Sequence, residues 1–337
     1  MHDRYSRQQL FSPIGELGQQ QLQQKHVLIV GVGALGSATA EALTRAGIGT
    51  LTLIDRDFVE WSNLQRQQLY TEQDAIDKLP KVIAAKKRLQ AINHSTIIHT
   101  HIADASEKLP TLLPNVDSII DATDNFDIRF LLNDLAAKHR IPWVYGSCVG
   151  SYGAYYTILP NTKACLRCLY KTVANTGLTC DTVGIISPAV QLVAAYQVAE
   201  TLKILVGDLT HCQTKYVMFD AWQNSYHAID VTALSQSDCP TCGTSPTYPA
   251  LHYENQTKLD VLCGRDAVQI RPAQPTHYDL NALANRLRAH GETSSNPYLV
   301  TCQLTNCRVV IFQDGRAVIH GLSTIEQAKI IYYRLLG

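Results

Sequence analysis

Through the first half of the chain, short apolar runs alternate with segments of helical period. Val27 to Val30 is a continuous apolar run ending in glycines, the pattern of a strand covered on both faces. Ala34 to Ala46 carries helix formers, Gly47 and Gly49 stop it, and Thr50 to Ile54 reads as a second strand. Together they make one βαβ unit of about thirty residues. Ahead of it, Tyr5 to about Gln24 is Gln-rich, with apolar residues at helical intervals (Leu10, Ile14, Leu17, Leu22), and predicts an arm or short helices. The alternation continues with a basic helix at Leu79–Ala91, a strand at Ile97–Ile102, an apolar strand at Val116–Ala122 ending in acids, a helix at Phe126–His139 and a strand at Trp143–Tyr145. This order predicts an α/β fold with a doubly wound, mostly parallel sheet. Gly-rich strand segments from Ser151 to Pro160 predict an antiparallel extension, and Ser187–Val206 reads as a long helix with Pro188 near its start. The Ser-, Thr-, Pro- and Cys-rich stretch Ser235–Pro249 marks the end of a first domain, residues 1–245. The remainder, 250–337, predicts a small α+β domain: strands around Val261–Ile270, a helix at Leu280–Ala289, a hairpin turning at Asp314-Gly315 and a last helix at Ile325–Leu335.

Composition narrows the class. The 337 residues are 46% hydrophobic and 17% charged, enough apolar material for full-sized cores. Lys+Arg and Asp+Glu are both 29. A balanced charge argues against non-specific nucleic-acid binding, which needs excess positive charge to displace counterions, but allows a local basic pocket. The start, MHDRYSRQQL, has no apolar core of a secretory signal. The most apolar long stretch, Ala189–Val206, is interrupted by Gln191, Gln197, Glu200 and Lys203, so no membrane span is expected and the chain reads as cytoplasmic. In that setting ten cysteines read as reduced thiols, some of them buried.

Gly31, Gly33 and Gly36 form GxGxxG between a strand and a helix, where backbone N–H groups and the helix dipole favour phosphate. Asp55 ends the next strand, 19 residues after Gly36, where a carboxylate accepts from ribose hydroxyls. This Rossmann-like context indicates a nucleotide without saying which. Behind Asp55 lie Asn63, Arg66 and Gln67, and Lys81 begins the next helix. A triphosphate carries about four charges, each worth about 4 kcal/mol against a cation at 4 Å and an effective dielectric of about 20. Clustered Arg and Lys are therefore expected for ATP and unnecessary for NAD. Singly, each also fits a solvated surface charge. Asp124 follows a strand's carboxyl end, the edge at which open parallel sheets bind ligands. It fits a magnesium ligand, since magnesium takes a carboxylate plus phosphate oxygens, and equally fits the N-cap of the Phe126 helix. Asp121 reads as a structural acid. Cys165-x-x-Cys168 and Cys239-x-x-Cys242 suit tetrahedral structural zinc, clamping two distant segments, with redox chemistry or chance as the other reading. Cys180, in a polar loop before a helix, is either a nucleophile or a bystander. His99 and His101 lack a third ligand and read as a polar strand face.

These residues together resemble the ThiF/MoeB/HesA family, relatives of the ubiquitin-activating enzymes. The matching segments are RYSRQ (Arg4–Gln8), GVGALGS (Gly31–Ser37), IDRDFVEWSNLQRQ (Ile54–Gln67), LPKVIAAKKRL (Leu79–Leu89), DATDNFDIRFLLND (Asp121–Asp134), TCDTVGIISPAV (Thr179–Val190) and the two CxxC pairs. They span roughly residues 1–245 in the family's order. With its C-terminal extension the pattern most resembles ThiF-type proteins of Gram-positive bacteria.

The resemblance implies adenylation of the C-terminal glycine of a ubiquitin-like sulfur carrier ending in Gly-Gly, from magnesium-ATP with release of pyrophosphate, in thiamine-thiazole or molybdopterin biosynthesis. It implies that Asp55 binds ribose, that Asn63, Arg66 and Lys81 contact phosphates, that Asp124 holds magnesium, and that Arg7 reaches the neighbouring subunit's site in a homodimer. Cys180 matches the loop cysteine that in ThiF-like members becomes linked to the carrier and that MoeB-like members do not need. The extension lacks a sulfurtransferase's anion loop, so sulfur is expected from a separate donor, a cysteine desulfurase or a rhodanese. The competing readings are an NAD-dependent oxidoreductase and a non-catalytic nucleotide-binding scaffold.

Overall fold

The structure is a computed structural model and describes residues 3–160, 164–172, 183–251, 258–262, 267–272, 277–322 and 324–336. Its contacts divide into a larger unit, Met1–Cys180 with Gly184–His252, and a smaller one, Asp181–Val183 with Tyr253–Gly337.

The larger unit is built on one eight-stranded sheet: β1 (His26–Val30), β2 (Thr50–Asp55), β3 (Ile97–Ile102), β4 (Ser118–Asp121), β5 (Trp143–Val149), β6 (Tyr152–Ile158), β7 (Tyr216–Asp220) and β8 (Ser225–Ile229). The order is β3-β2-β1-β4-β5-β6-β7-β8. Pairings among the first five are parallel, and those from β5 to β8 antiparallel. The helices are α1 (Ser6–Gln9), α2 (Gly15–Leu22), α3 (Ala34–Ala46), α4 (Glu72–Ile76), α5 (Lys81–Ile92), α6 (Ala105–Leu112), α7 (Phe126–His139), α8 (Leu166–Thr172) and α9 (Ser187–Leu205).

The unbroken apolar run of β1 follows from burial on both faces. Leu28 and Val30 enter one core layer with Ile119 and Trp143, while Val27 and Ile29 enter the opposite layer with Leu51, Leu53 and Ile120. Chain direction across the sheet reverses between β1 and β4. That switch point opens a crevice at the strands' carboxyl ends, where α/β sheets take ligands. The antiparallel extension is as expected, and β5 runs to Val149 because β6 folds back along its whole length. Sequence reading passed over β7 and β8, which are short, the first mostly buried and the second mostly exposed. It also began α5 two residues early: Pro80 lacks an N–H and stands as the N-cap, so the helix starts at Lys81.

Two of the polar residues that interrupt α9, Gln197 and Glu200, are structural. Gln197 is buried and donates through Nε2 to the carbonyls of Asp121 (2.7 Å) and Val144 (3.2 Å). Glu200 accepts from Thr157 Oγ1 and Gln213 N. Among the described residues no helix is long and apolar enough to cross a membrane.

The smaller unit holds a second sheet of β9 (Lys258–Leu262), β10 (Ala267–Arg271), β11 (Glu292–Ser295), β12 (Leu299–Gln303), β13 (Arg308–Phe312) and β14 (Ala317–His320), ordered β11-β12-β13-β14-β10-β9 and antiparallel throughout. The expected Asp314-Gly315 hairpin joins β13 to β14, with Gly315 at φ +84°. Helices α10 (Leu280–Leu287) and α11 (Ile325–Leu336) place Leu283, Leu287, Tyr332 and Leu335 against Val300, Val309, Ile311 and Ile319. Strands β11 and β12 carry no strong alternation and were not expected from sequence.

Gly36 is the tightest point of the first βα turn. A Cβ there would lie 2.0 Å from the Gly31 carbonyl oxygen, a backbone atom that cannot step aside. Gly36→Ala is therefore expected to cost about 2 kcal/mol or more, lowering the thermal midpoint by about 5 °C. A midpoint within about 1 °C of wild type in a thermal melt would contradict this.

Candidate functional site

The crevice is organised around Val32, the residue inside the glycine turn. Its N–H donates to Asp55 Oδ2 at 2.7 Å, and its carbonyl accepts from the Tyr70 hydroxyl. Asp55 Oδ1 accepts from Asp57 N at 2.7 Å. Gly31 sits at φ +86°, where a Cβ would be 2.7 Å from Ala122 O. These two contacts bring the ends of β1, β2 and β4 together. Gly33 differs from Gly31 and Gly36: a Cβ there would meet only Gln67 Nε2, at 3.8 Å. Gly33 is the N-cap of α3 and no side chain caps that helix, so its first N–H groups face open crevice, as an anion requires.

One wall is the segment behind Asp55. Consecutive turns from Glu60 to Tyr70 bury Asn63, Gln67 and Tyr70, at spacings of four and three, and leave Gln65 and Gln68 exposed. Asn63 Oδ1 accepts from Glu60 N, while Asn63 Nδ2 and Gln67 Oε1 are buried with no hydrogen-bond partner. Such atoms are costly unless something else satisfies them. Arg66 is half buried and bonds the Ser62 carbonyl through Nη1 at 2.8 Å. Lys81 is buried, and its Nζ lies 3.1 Å from Asp57 Oδ2. Burial raises the Asp55 carboxyl above its usual 3.8, Lys81 pulls it back, and the Asp57 charge pushes it up again. Arg56 pairs with Asp104 at 2.8 Å, and Asp104 is held well below the carboxylate range by Arg56 and Ser106, against the opposing effect of burial.

The opposite wall is the β4–α7 loop. Asp121 is fully buried and bonds Arg129 Nε (3.1 Å), Thr123 N and Thr123 Oγ1, a structural acid as read from sequence. Arg129 also donates to the carbonyls of Thr123 (2.6 Å) and Gly146 (3.1 Å) and lies over the rings of Phe126 and Tyr145. The N-cap of α7 is Asn125, accepting from Asp127 N and Ile128 N. That settles one alternative for Asp124: it is not the cap, and it stands exposed at the crevice end of the loop.

The amino-terminal arm docks at the other end of α3. Gln8 Nε2 donates to the Ala46 carbonyl, Asn93 Nδ2 to the Tyr5 hydroxyl, and Arg4 to the Ile92 carbonyl. Arg7 is exposed. The 13 residues of α3, at about 1.5 Å each, put about 20 Å between this dock and Gly33. Cys180 and its neighbours Thr179, Asp181 and Thr182 lie outside the described residues.

The two CxxC pairs converge. The sulfurs of Cys165, Cys168, Cys239 and Cys242 all lie within 4.8 Å of one another. Three of the separations are 4.0 Å (165–168), 3.7 Å (165–239) and 3.6 Å (168–242). A disulfide needs about 2.0 Å. A tetrahedral ion with about 2.3 Å bonds to sulfur spaces its ligands about 3.8 Å apart, which the cluster fits. Burial and the neighbouring Cys165 push the Cys168 thiol up to about 11, a shift that a bound cation would oppose. Asp134 of α7 ties both knuckles down, accepting from Arg167 (3.1 Å), Thr241 Oγ1 and Ala250 N (2.8 Å).

Residues 5–241 match the model of the ThiF family. The chain is 48% identical over 339 aligned positions, covering all of both chains, to the sulfur carrier protein ThiS adenylyltransferase of Bacillus subtilis. It is 33% identical to the molybdopterin-synthase adenylyltransferase of Escherichia coli, over 71% of this chain and 96% of that one. Among solved structures, E. coli MccB shares the fold with a TM-score of 0.63 at 21% identity, over 73% of each chain.

The chain belongs to the ThiF family. Within that frame, the residues singled out from sequence fall into three places. Gly31, Gly33, Gly36, Asp55, Asn63, Gln67 and Lys81 come together at the switch point, with Arg66 and Asp124 on its walls. The four cysteines form their own cluster, and Arg7 stands apart from both. Sequence reading missed Tyr70, Asp57, Arg129, Gln197 and Asp134, each of which holds backbone or a charge of the site in place. For Tyr70 a signal existed: it falls seven residues after Asn63 and three after Gln67, in step with both.

Because Lys81 opposes the burial that raises Asp55, Lys81→Met is expected to move Asp55 protonation to higher pH. The sign follows from the raised carboxyl: its charge burdens the fold at neutral pH, and removing the nearby cation increases that burden. The measurement is the pH titration of the Asp55 carboxyl carbon by NMR, and an unmoved midpoint would contradict the assignment.

Proposed function

We propose that this ThiF-family chain is an adenylyltransferase that transfers AMP from ATP to the C-terminal glycine of a ubiquitin-like sulfur carrier ending in Gly-Gly, and acts in the cytoplasm. The observation that carries the reading is the switch-point crevice itself: an uncapped helix N-terminus at Gly33, with buried Lys81 and the unpartnered Asn63 Nδ2 on one wall and exposed Asp124 on the other. The B. subtilis relative, similar over its full length, is named for ThiS, so a ThiS-type carrier of thiazole formation is the first candidate, and a molybdopterin-type carrier is the second.

In this reading Asp55 accepts from the ribose hydroxyls, Gly31, Gly33 and Gly36 admit the phosphates, and Asn63, Arg66, Gln67 and Lys81 line the phosphate path. The carrier's terminal carboxylate attacks the α-phosphorus and pyrophosphate leaves in line. The protein supplies no covalent nucleophile for this. It holds two mutually repelling anions together and stabilises charge as it develops on the leaving group. Asp124 would hold a magnesium ion, which would supply Lewis-acid charge at the phosphates. Arg7 belongs to the site of a second copy: it lies about 20 Å from its own Gly33 by the length of α3, beside exposed Leu10 and Phe11. These features support a homodimer. Cys180 belongs to a later step, in which the activated carrier meets a separate sulfur donor, a cysteine desulfurase or a rhodanese. The four cysteines would hold a structural zinc ion, all four ligands coming from the protein.

The reading is tested by carrier-dependent exchange of pyrophosphate into ATP. Wild type is expected to exchange with a Gly-Gly carrier, and Asp124→Ala to do so at least about 10²-fold more slowly. Exchange absent with every such carrier would refute the function, and near-normal exchange in Asp124→Ala would refute the metal role. Elemental analysis is expected to give one zinc per chain. Stripping it with a chelator is expected to lower the thermal midpoint by about 10 °C or more, an effect that an unmetallated cluster would not show.

A further inference from the structure

We propose that Tyr70 is a positioning residue whose hydroxyl aims the Gly33 N–H at the phosphates of the bound nucleotide. The inference rests on the ATP reading above and goes beyond it, to how the glycine turn is held in its binding shape.

The Val32 carbonyl can only accept, so the Tyr70 hydroxyl is the donor in their bond. Tyr70 is buried, and burial, with the charges of Asp55, Asp74 and Asp57 beside it, holds its hydroxyl protonated well above its ordinary range. The donor is therefore present at every pH at which the protein works. The described chain has no cis peptide bond. In a trans peptide the carbonyl and the following N–H point in opposite directions. A Val32 carbonyl fixed on Tyr70 thus turns the Gly33 N–H away from Tyr70, to the side where no side chain caps α3. Among the described residues that N–H has no partner. The preceding peptide is set independently, because the Val32 N–H is held by Asp55.

Val32 is fully buried. Without the hydroxyl its carbonyl has no water to turn to, and the Val32–Gly33 peptide loses the contact that selects its orientation. The consequence is specific to the phosphate end of a nucleotide. Adenosine, which presents a base and a ribose but no phosphate, does not use the Gly33 N–H.

The test is calorimetric binding of magnesium-ATP and of adenosine to the full chain, wild type and Tyr70→Phe. The variant is expected to lose about tenfold in ATP affinity, the scale of one hydrogen bond to a charged group, with adenosine affinity within about twofold of wild type. Equal losses for both ligands, or unchanged ATP affinity, would overturn the proposal; a purely structural role moves the melting temperature without splitting the two. If Tyr70→Phe does not fold, wild type still answers through amide exchange at Gly33. ATP is expected to slow that exchange and adenosine to leave it alone, and equal exchange with both overturns the proposal. Wild type that takes up no ATP refutes the adenylation reading and the inference with it. ATP uptake with an unsplit Tyr70→Phe refutes the inference alone.

Discussion

The half-buried Asp55 carboxylate bonded to the N–H groups of Val32 and Asp57 is the interaction on which the crevice depends. A buried charge is costly, and here the cost is offset locally by two backbone donors and by the Lys81 ammonium nearby. The arrangement does more than satisfy Asp55. It pins the glycine turn of β1–α3 to the end of β2 and makes the buried position of Lys81 tolerable. Lys81 in turn is tied to Asp57 through its side chain and through its own backbone N–H. Asp55, Asp57 and Lys81 are thus linked through backbone and side chain along the wall behind Asp55.

The parts of this arrangement differ in how visible they are in the sequence. Gly31, Gly33, Gly36 and Asp55 follow a spacing imposed by the geometry of one strand, one tight turn and one helix, so they stand out from the order of residues alone. The strands β1, β2 and β4 are legible for a related reason, since burial on both faces makes their apolar runs continuous. Arg129 is different. It sits on an ordinary helix, and its importance comes from reaching Gly146, seventeen residues away, while also bonding Asp121. Asp134 is likewise defined by contacts with Arg167, Thr241 and Ala250, none of which a local pattern announces. Strands β7, β8, β11 and β12 escaped for want of a clean alternation, because antiparallel strands with one mixed face carry a weaker signal than the parallel core.

The cysteine cluster and the crevice share a support. Helix α7 starts at the Asp124 loop and carries Asn133 and Asp134 in its second half, where Asn133 Oδ1 accepts from Leu166 N and Asp134 takes the donors around the two knuckles. Fixing that part of α7 fixes the orientation of the helix. Arg129, one turn in from its start, then sets the loop that presents Asp124. A structural ion at the cysteines would therefore steady the Asp124 wall without touching it, by stiffening the rod on which both are mounted.

Charge completes the argument. Over the whole chain the formal charges cancel, yet they are not evenly spread at the switch point. Asp121 is buried, Asp55 is half-buried, and both are already engaged by backbone and by Arg129 or Lys81, so little of their negative field reaches the open space. The groups not already engaged there are the uncapped N-terminus of α3 and the exposed Asp124, with the half-buried Arg66 on the segment behind Asp55 bonded to the Ser62 carbonyl. A polyanion entering there meets helix dipole and cation on one side. On the other it meets a single carboxylate, which repels it unless a divalent ion sits between them. In the proposed reading, Asp124 would therefore disfavour a bare triphosphate and favour one that arrives with a divalent ion.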